Sequence, residues 1–161
     1  MSLPGYLEGG HHYHHLTMIY LLRHGDAEND DGSGDASRRL TSKGEAQAAA
    51  AGRAIATLGL NIDSCLTSPR VRARDTAEIA CNALSVKPEM VESIGDGSYD
   101  TLDLAAGRGD LLIVGHEPAL SMEVTRITGA NIKLKKGGLA ILESGTLRAL
   151  LRPDEMAAIA A

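Results

Sequence analysis

Three short apolar runs set what this chain can fold into: MIYLL at residues 18–22, DSCLTS at 63–68 and DLLIVG at 110–115. Each is too brief for a buried helix and has the length and content of a strand. A helix-patterned segment follows each one. TSKGEAQAAAAGRAIATLG opens on a capping signal at Thr41 and closes at Gly59. PRVRARDTAEIACNAL and PALSMEVTRITG both begin with a proline, Pro69 and Pro118, of the kind favoured in a first helical turn. Strand and helix in alternation predict an α/β fold: one three-layer α/β/α domain, its sheet mainly parallel, with helices on both faces. At the far end GGLAILES and GTLRALLRP flank a Ser-Gly turn and predict a C-terminal antiparallel hairpin. Between the second helix and DLLIVG, KPEMVES reads as a short strand or extended loop and YDTLDLAAG as a short helix.

Length allows one such domain and little more, since the chain has 161 residues. The opening MSLPGYLEGGHHYHHLT is set apart as a leader or tag-like segment over residues 1–17, leaving 18–161 as the domain. Its four histidines, His11, His12, His14 and His15, have no accompanying cysteine or carboxylate cluster to make a metal site. The formal charge of -5 and the absence of Phe and Trp argue against a nucleic-acid partner and leave room only for a focused anion pocket. No apolar run approaches the roughly 20 residues that cross a bilayer, so no membrane partner is expected. Cys65 and Cys81 lack both metal-ligand spacing and a disulfide framework, which fits reduced thiols and a cytoplasmic setting.

The strand ends carry the chemistry. MIYLL runs into Arg23-His24-Gly25, DSCLTS into a helix bearing Arg72, and DLLIVG into His116. In open α/β sheets ligands bind beyond the carboxyl ends of the strands, so the four side chains are expected to meet. Arginine offers a planar fork of donors to phosphate oxygens, and histidine serves as nucleophile, acid or base near neutral pH. Arg70 and Arg74, which flank Arg72, read as surface charges paired with Asp75 or Glu78. Arg39 either approaches the phosphate rim or is simply solvated.

Taken in order, these segments resemble the histidine phosphatase superfamily, also called phosphoglycerate mutase-like. LLRHGDAE is similar to its opening Arg-His-Gly motif, TSPRVRARDTAE to its second, arginine-bearing motif, and LLIVGHEP to its late Gly-His motif. SRRLTSKGEAQA resembles the bridging segment, and RHGDAE with IKLKKGGLAILE is most like the SixA-type phosphohistidine phosphatases. The resemblance implies a phosphatase in which His24 becomes transiently phosphorylated. Arg23, Arg72 and His116 would hold the phosphoryl oxygens, with no metal and no cofactor. It also implies a substrate: phosphohistidine on a signalling phosphotransfer protein, or alternatively a small phosphate monoester, with inorganic phosphate as product. A noncatalytic phosphate-binding module is the remaining reading. The glutamate that many members use as proton donor has no clear counterpart here, and Glu92, Asp96 and Asp100 are weak candidates for that role.

Overall fold

The computed structural model describes residues 17–161, so the histidine tract, and with it all but the last residue of the leader-like segment, lies outside the described residues. The strands are β1 (Met18–Arg23), β2 (Ser64–Thr67), β3 (Pro88–Met90), β4 (Leu111–Gly115), β5 (Leu139–Glu143) and β6 (Thr146–Leu151). They form one sheet in the order β3-β2-β4-β1-β5-β6. β1 to β4 run parallel, β5 pairs antiparallel with β1, and β6 with β5. The helices are α1 (Ser42–Thr57), α2 (Val71–Cys81), α3 (Glu92–Asp96), α4 (Thr101–Ala105), α5 (Ala119–Thr128) and α6 (Pro153–Ala160).

Side chains of a strand alternate between the two faces of its sheet, and here both faces are covered. Met18, Tyr20 and Leu22 of β1 point with Cys65, Leu112 and Val114 into a layer of alanines from α1 and α2, closed by Met156 of α6. Ile19 and Leu21 point with Leu66, Leu111 and Ile113 to the opposite layer, against Ile94, Leu120 and Val124. The small residues of α1 let it approach α2 closely: a Cβ on Gly52 would collide with the carbonyl oxygen of Ala80. Truncating one of the central leucines, such as Leu21 or Leu112, to alanine costs about 2–5 kcal/mol by the usual cavity penalty.

The three-layer architecture and terminal hairpin are as the sequence predicts. Thr41 caps α1, its Oγ1 accepting from the Gly44 amide at 3.0 Å. Ser144 and Gly145, with φ of 47° and 80°, make the hairpin turn. Four details differ. α3 begins inside KPEMVES, which the sequence reads as a short strand or extended loop. Arg70, not Pro69, is the last residue before α2, so the proline sits outside the helix. Pro118 likewise precedes α5 at its N-cap. α6 has no counterpart in the sequence reading; its Met156 completes a core layer that the α1 and α2 alanines leave shallow.

Candidate active site

β2, β4 and β1 lie side by side and parallel, so their carboxyl ends open on one edge of the sheet. His24, just past β1, donates its amide to the carbonyl of Gly115 at the end of β4, at 3.2 Å. His116 follows Gly115 directly. The two imidazoles come within 5.2 Å, centroid to centroid, and the residues keep only 6% and 8% exposure. Arg72 enters from the first turn of α2 and is tied to the same edge. Its carbonyl accepts from Thr76 Oγ1 at 2.7 Å, and that hydroxyl accepts from the Gly25 amide at 3.1 Å. Gly25 is required by close approach, since a Cβ there would lie 2.5 Å from the carbonyl oxygen of Gly44 in α1. Arg23 hydrogen-bonds through Nη1 to the Leu134 carbonyl at 3.0 Å. All four expected side chains therefore gather at one place.

Hydrogen bonding decides which histidine nitrogen is free. His24 Nδ1 lies 2.7 Å from the Gly25 carbonyl oxygen, which can only accept. Nδ1 must carry the proton, and Nε2 of the neutral ring keeps its lone pair. Burial pushes the His24 pKa down to about 4; the Gly25 bond opposes that, while Arg72, Arg23 and Arg38 reinforce it. His116 is pushed down to about 3, by burial first and then by His24, Arg72 and Arg70. Both rings are thus neutral at pH 7. His116 Nε2 meets Ser68 Oγ at 2.8 Å, and the same hydroxyl accepts from the Arg70 amide at 3.1 Å.

Buried polar atoms normally find partners. Among the described residues the buried side-chain nitrogens without one are Arg23 Nε, Arg72 Nε and His116 Nδ1. All three belong to residues that the sequence singled out. An oxyanion reaching this edge would meet donors that no protein acceptor uses.

Asp35, on the 3₁₀ turn Asp35–Ser37, arranges the arginines. Its carbonyl accepts from Arg72 Nη1 at 2.9 Å and its carboxylate from Nη2 at 3.1 Å. That contact holds the outer edge of the guanidinium and leaves the Nε edge unused. Arg70 and Arg38 reach the same carboxylate at 3.3 and 3.2 Å. Burial opposes it, yet the Arg38, Arg72 and Arg70 guanidiniums hold the Asp35 carboxyl below the usual range.

The flanking charges sort differently from the sequence reading. Arg74 pairs with Asp75, as expected, at 3.3 Å. Arg70 instead joins Arg72 on Asp35 and lines a groove with His116. Arg39 points away, sharing a cavity with Arg74, Asp75 and Glu78, and its neighbour Arg38 takes the place at the arginine cluster. Of the weak acid candidates, Asp100 caps α4 and pairs with Arg126, and Glu92 lies exposed in the first turn of α3. Asp96 alone lines the groove beside His116.

Sequence reasoning missed Asp35, Ser68, Thr76 and Glu117. Glu117 accepts from the Ser121 amide at 2.8 Å and the Leu134 amide at 3.4 Å, and so steadies the carbonyl that holds Arg23. Ser68, Thr76 and Glu117 lie inside the segments TSPRVRARDTAE and LLIVGHEP, which was their one local sign, and Asp35 lies outside every such segment.

A family model of the histidine phosphatase superfamily (branch 1) matches residues 19–104, which include Arg23, His24 and Arg72. The chain belongs to this superfamily. An uncharacterized protein of Picosynechococcus sp. is 35% identical over 149 residues, 84% of this chain and 90% of its own length. The mitochondrial serine/threonine-protein phosphatase Pgam5 of Drosophila persimilis is 34% identical over 79 residues, 49% of this chain and 27% of that protein. Among solved structures, the protein histidine phosphatase SixA complexed with tungstate superposes with a TM-score of 0.76 at 21% identity, over 86% of this chain and 98% of that one. At such identity the likeness speaks for a histidine phosphatase fold of SixA type.

Proposed function

We propose that this protein is a metal-independent phosphatase working through a phosphohistidine at His24, and that its substrate is phosphohistidine carried on another protein. The observation that carries the reading is the His24 ring: Nδ1 is committed to the Gly25 carbonyl, and Nε2 is left as a lone pair beside unpartnered donors. The Nε2 lone pair attacks phosphorus while the bond from phosphorus to the leaving imidazole breaks, and that imidazole takes up a proton from solvent. Arg23 and Arg72 hold the nonbridging oxygens as charge shifts between attacking and leaving atoms. In the tautomer in which Ser68 donates to Nε2, His116 offers Nδ1–H as a further donor. Water then attacks the phosphohistidine, phosphate departs, and His24 returns neutral.

Two features favour a substrate borne on a protein. The groove beside His116 is bordered by the end of the short helix α3, at Gly95, Asp96 and Gly97, and the segment joining β3 to β4 holds only the short helices α3 and α4. The leaving imidazole of phosphohistidine is basic, so transfer from it does not depend on a strong acid from Asp96 or Glu117, the carboxylates in the groove beside His116. A small phosphate monoester remains the competing substrate, while the partial likeness to a serine/threonine-protein phosphatase bears on monoesters carried by a protein.

The test is single-turnover transfer in excess chelator, from a phosphohistidine phosphotransfer domain and from a panel of phosphate esters. Wild type is expected to release phosphate and to form an acid-labile phosphoenzyme, and His24→Ala to do neither while unfolding at the wild-type temperature. A phosphoenzyme in His24→Ala, or activity that returns only with an added divalent ion, refutes the mechanism. Faster turnover of the esters transfers the substrate assignment to monoesters.

A further inference from the structure

The proposed chemistry uses one side of Arg23 and leaves unexplained the cations gathered on the other. A groove next to the site is lined by Arg23, Lys43, Lys135, Lys136 and Arg152. Its carboxylates are Asp26 and Asp154. Asp26 is already engaged, accepting from Thr41 Oγ1 at 2.8 Å and pairing with Lys136 at 3.4 Å. Lys43, Lys135 and Arg152 make no ion pair among the described residues. This local excess of positive charge sits on a chain whose formal charge is -5.

Local stability does not account for it. Lys43 lies in the first turn of α1 and Arg152 at the N-cap of α6, where the helix dipole disfavours cations. Lys43, Lys135 and Arg152 are exposed, so packing does not require them either. Placements that oppose local preference without structural gain mark functional surfaces.

Backbone contacts lock the groove to the reaction centre. The Gly137 amide donates to the carbonyls of both Arg23 and His24, at 3.1 and 2.9 Å, and the Arg23 amide donates to Gly138 at 3.0 Å. Lys135 and Lys136 ride on this turn. Gly137 has φ of 76°, and a Cβ there would sit 2.9 Å from Cβ of Gln47, so the turn is closely specified. The cations therefore keep a fixed position relative to the phosphoryl acceptor.

We propose that this groove is a docking surface for an acidic segment flanking the phosphorylated residue of a protein substrate. The inference rests on the protein-substrate reading above. Charge complementarity selects the occupant: Asp and Glu side chains near the phosphorylated residue would reach the lysines as the phosphoryl group reaches Arg23 and Arg72. A nucleic acid would need stacking partners, and no aromatic side chain lines the groove.

The experiment uses two phosphohistidine peptides of equal length, one flanked by Glu and one by Gln. Binding is measured by anisotropy on the His24→Ala protein, and kcat/KM on wild type. We expect the Glu-flanked peptide to be favoured about 10-fold at low salt, a contribution of several screened ion pairs. The preference should vanish at roughly 0.5 M salt, where the screening length falls to a few ångströms. It should also vanish in Lys43→Glu/Lys135→Glu, whose turnover of phosphoramidate stays at the wild-type level. Equal handling of the two peptides overturns the docking surface, as does a preference surviving in the double variant, or single-stranded RNA displacing the Glu-flanked peptide more strongly than a Glu-flanked competitor does. Phosphoserine versions separate the two ideas: a flank preference seen only with phosphoserine keeps the groove and removes the phosphohistidine reading. Turnover of both phosphohistidine peptides without preference does the reverse.

Discussion

Acidification is the perturbation that tests the His24 geometry most directly. With an ordinary pKa of 6.5 only about 3% of the imidazole would be unprotonated at pH 5, whereas a pKa of about 4 leaves roughly 90% competent, a difference of about 30-fold in active enzyme. The acid limb of kcat/KM, which reports the free enzyme, should therefore have its midpoint near pH 4 once the ionisation of the substrate is subtracted. Proton NMR of the His24 C2–H gives the same pKa without turnover. Arg72→Gln should move both histidines upward, because that guanidinium lowers each of them. Stability must follow the same linkage. The unfolded ring binds its proton as pH falls through 6.5, and the folded ring only near 4, so stability is fully present above pH 6.5 and declines through that window. The loss amounts to about 3 kcal/mol at roughly 1.4 kcal/mol per pKa unit, and His116 adds to it in the same direction. Urea unfolding at a series of pH values reads it. A His24 resonance titrating between pH 6 and 7 in the folded protein would falsify the idea that burial and the arginine field hold the ring neutral.

Two further substitutions, with Arg74→Ala as the control, probe the arginine cluster. Arg72→Ala should weaken inhibition by inorganic phosphate and slow single-turnover transfer by about 10-fold to 150-fold each, the worth of one charge-assisted contact, while Arg74→Ala stays within about 2-fold. If Arg74→Ala proves the crippling change, the assignment on α2 is wrong. Asp35→Ala should cost about 5-fold to 10-fold in phosphate affinity by freeing the Arg72 guanidinium to rotate, a loss in the range of a single hydrogen bond. Tighter phosphate binding in that variant would show instead that the carboxylate competes with substrate.

The sequence disclosed whatever depends on neighbours along the chain. MIYLL and DLLIVG were legible as strands because a short apolar run buried on both faces of a sheet needs no polar positions, and the cap at Thr41 was legible from a hydroxyl three residues before a free amide. Convergence of His24, Arg72 and His116 was legible too, because parallel strands force their carboxyl ends to one edge. α6 was not read, although Pro153 at its first position, Asp154 and Glu155 in its first turn and the Arg152 amide donated to Glu155 at 2.9 Å are start signals; what the sequence could not show is the core layer its Met156 completes. Asp35 shows the same limit inside the site. The neighbouring Arg38 gives its carboxylate one local partner, but its place in the site appears only when α2, distant in sequence, brings Arg70 and Arg72 beside it.

That limit has a chemical consequence. Arg23, His24, Arg72 and His116 supply the reacting and binding groups, but their protonation and orientation are set by other atoms. The Gly25 carbonyl fixes which nitrogen of His24 is bare, and Ser68 engages one nitrogen of His116 and leaves the other. Asp35 holds the outer edge of Arg72, and the Leu134 carbonyl steadies Arg23. Three of these supports come from segments remote from the group they hold, so a chain carrying RHG and the later arginine and histidine without them would have the same letters and a poorly aimed site. Ser68→Ala and Asp35→Ala therefore separate the two levels: each leaves Arg23, His24, Arg72 and His116 in place and removes a support, and slowed transfer in both would show that aim, and not composition alone, sets the rate.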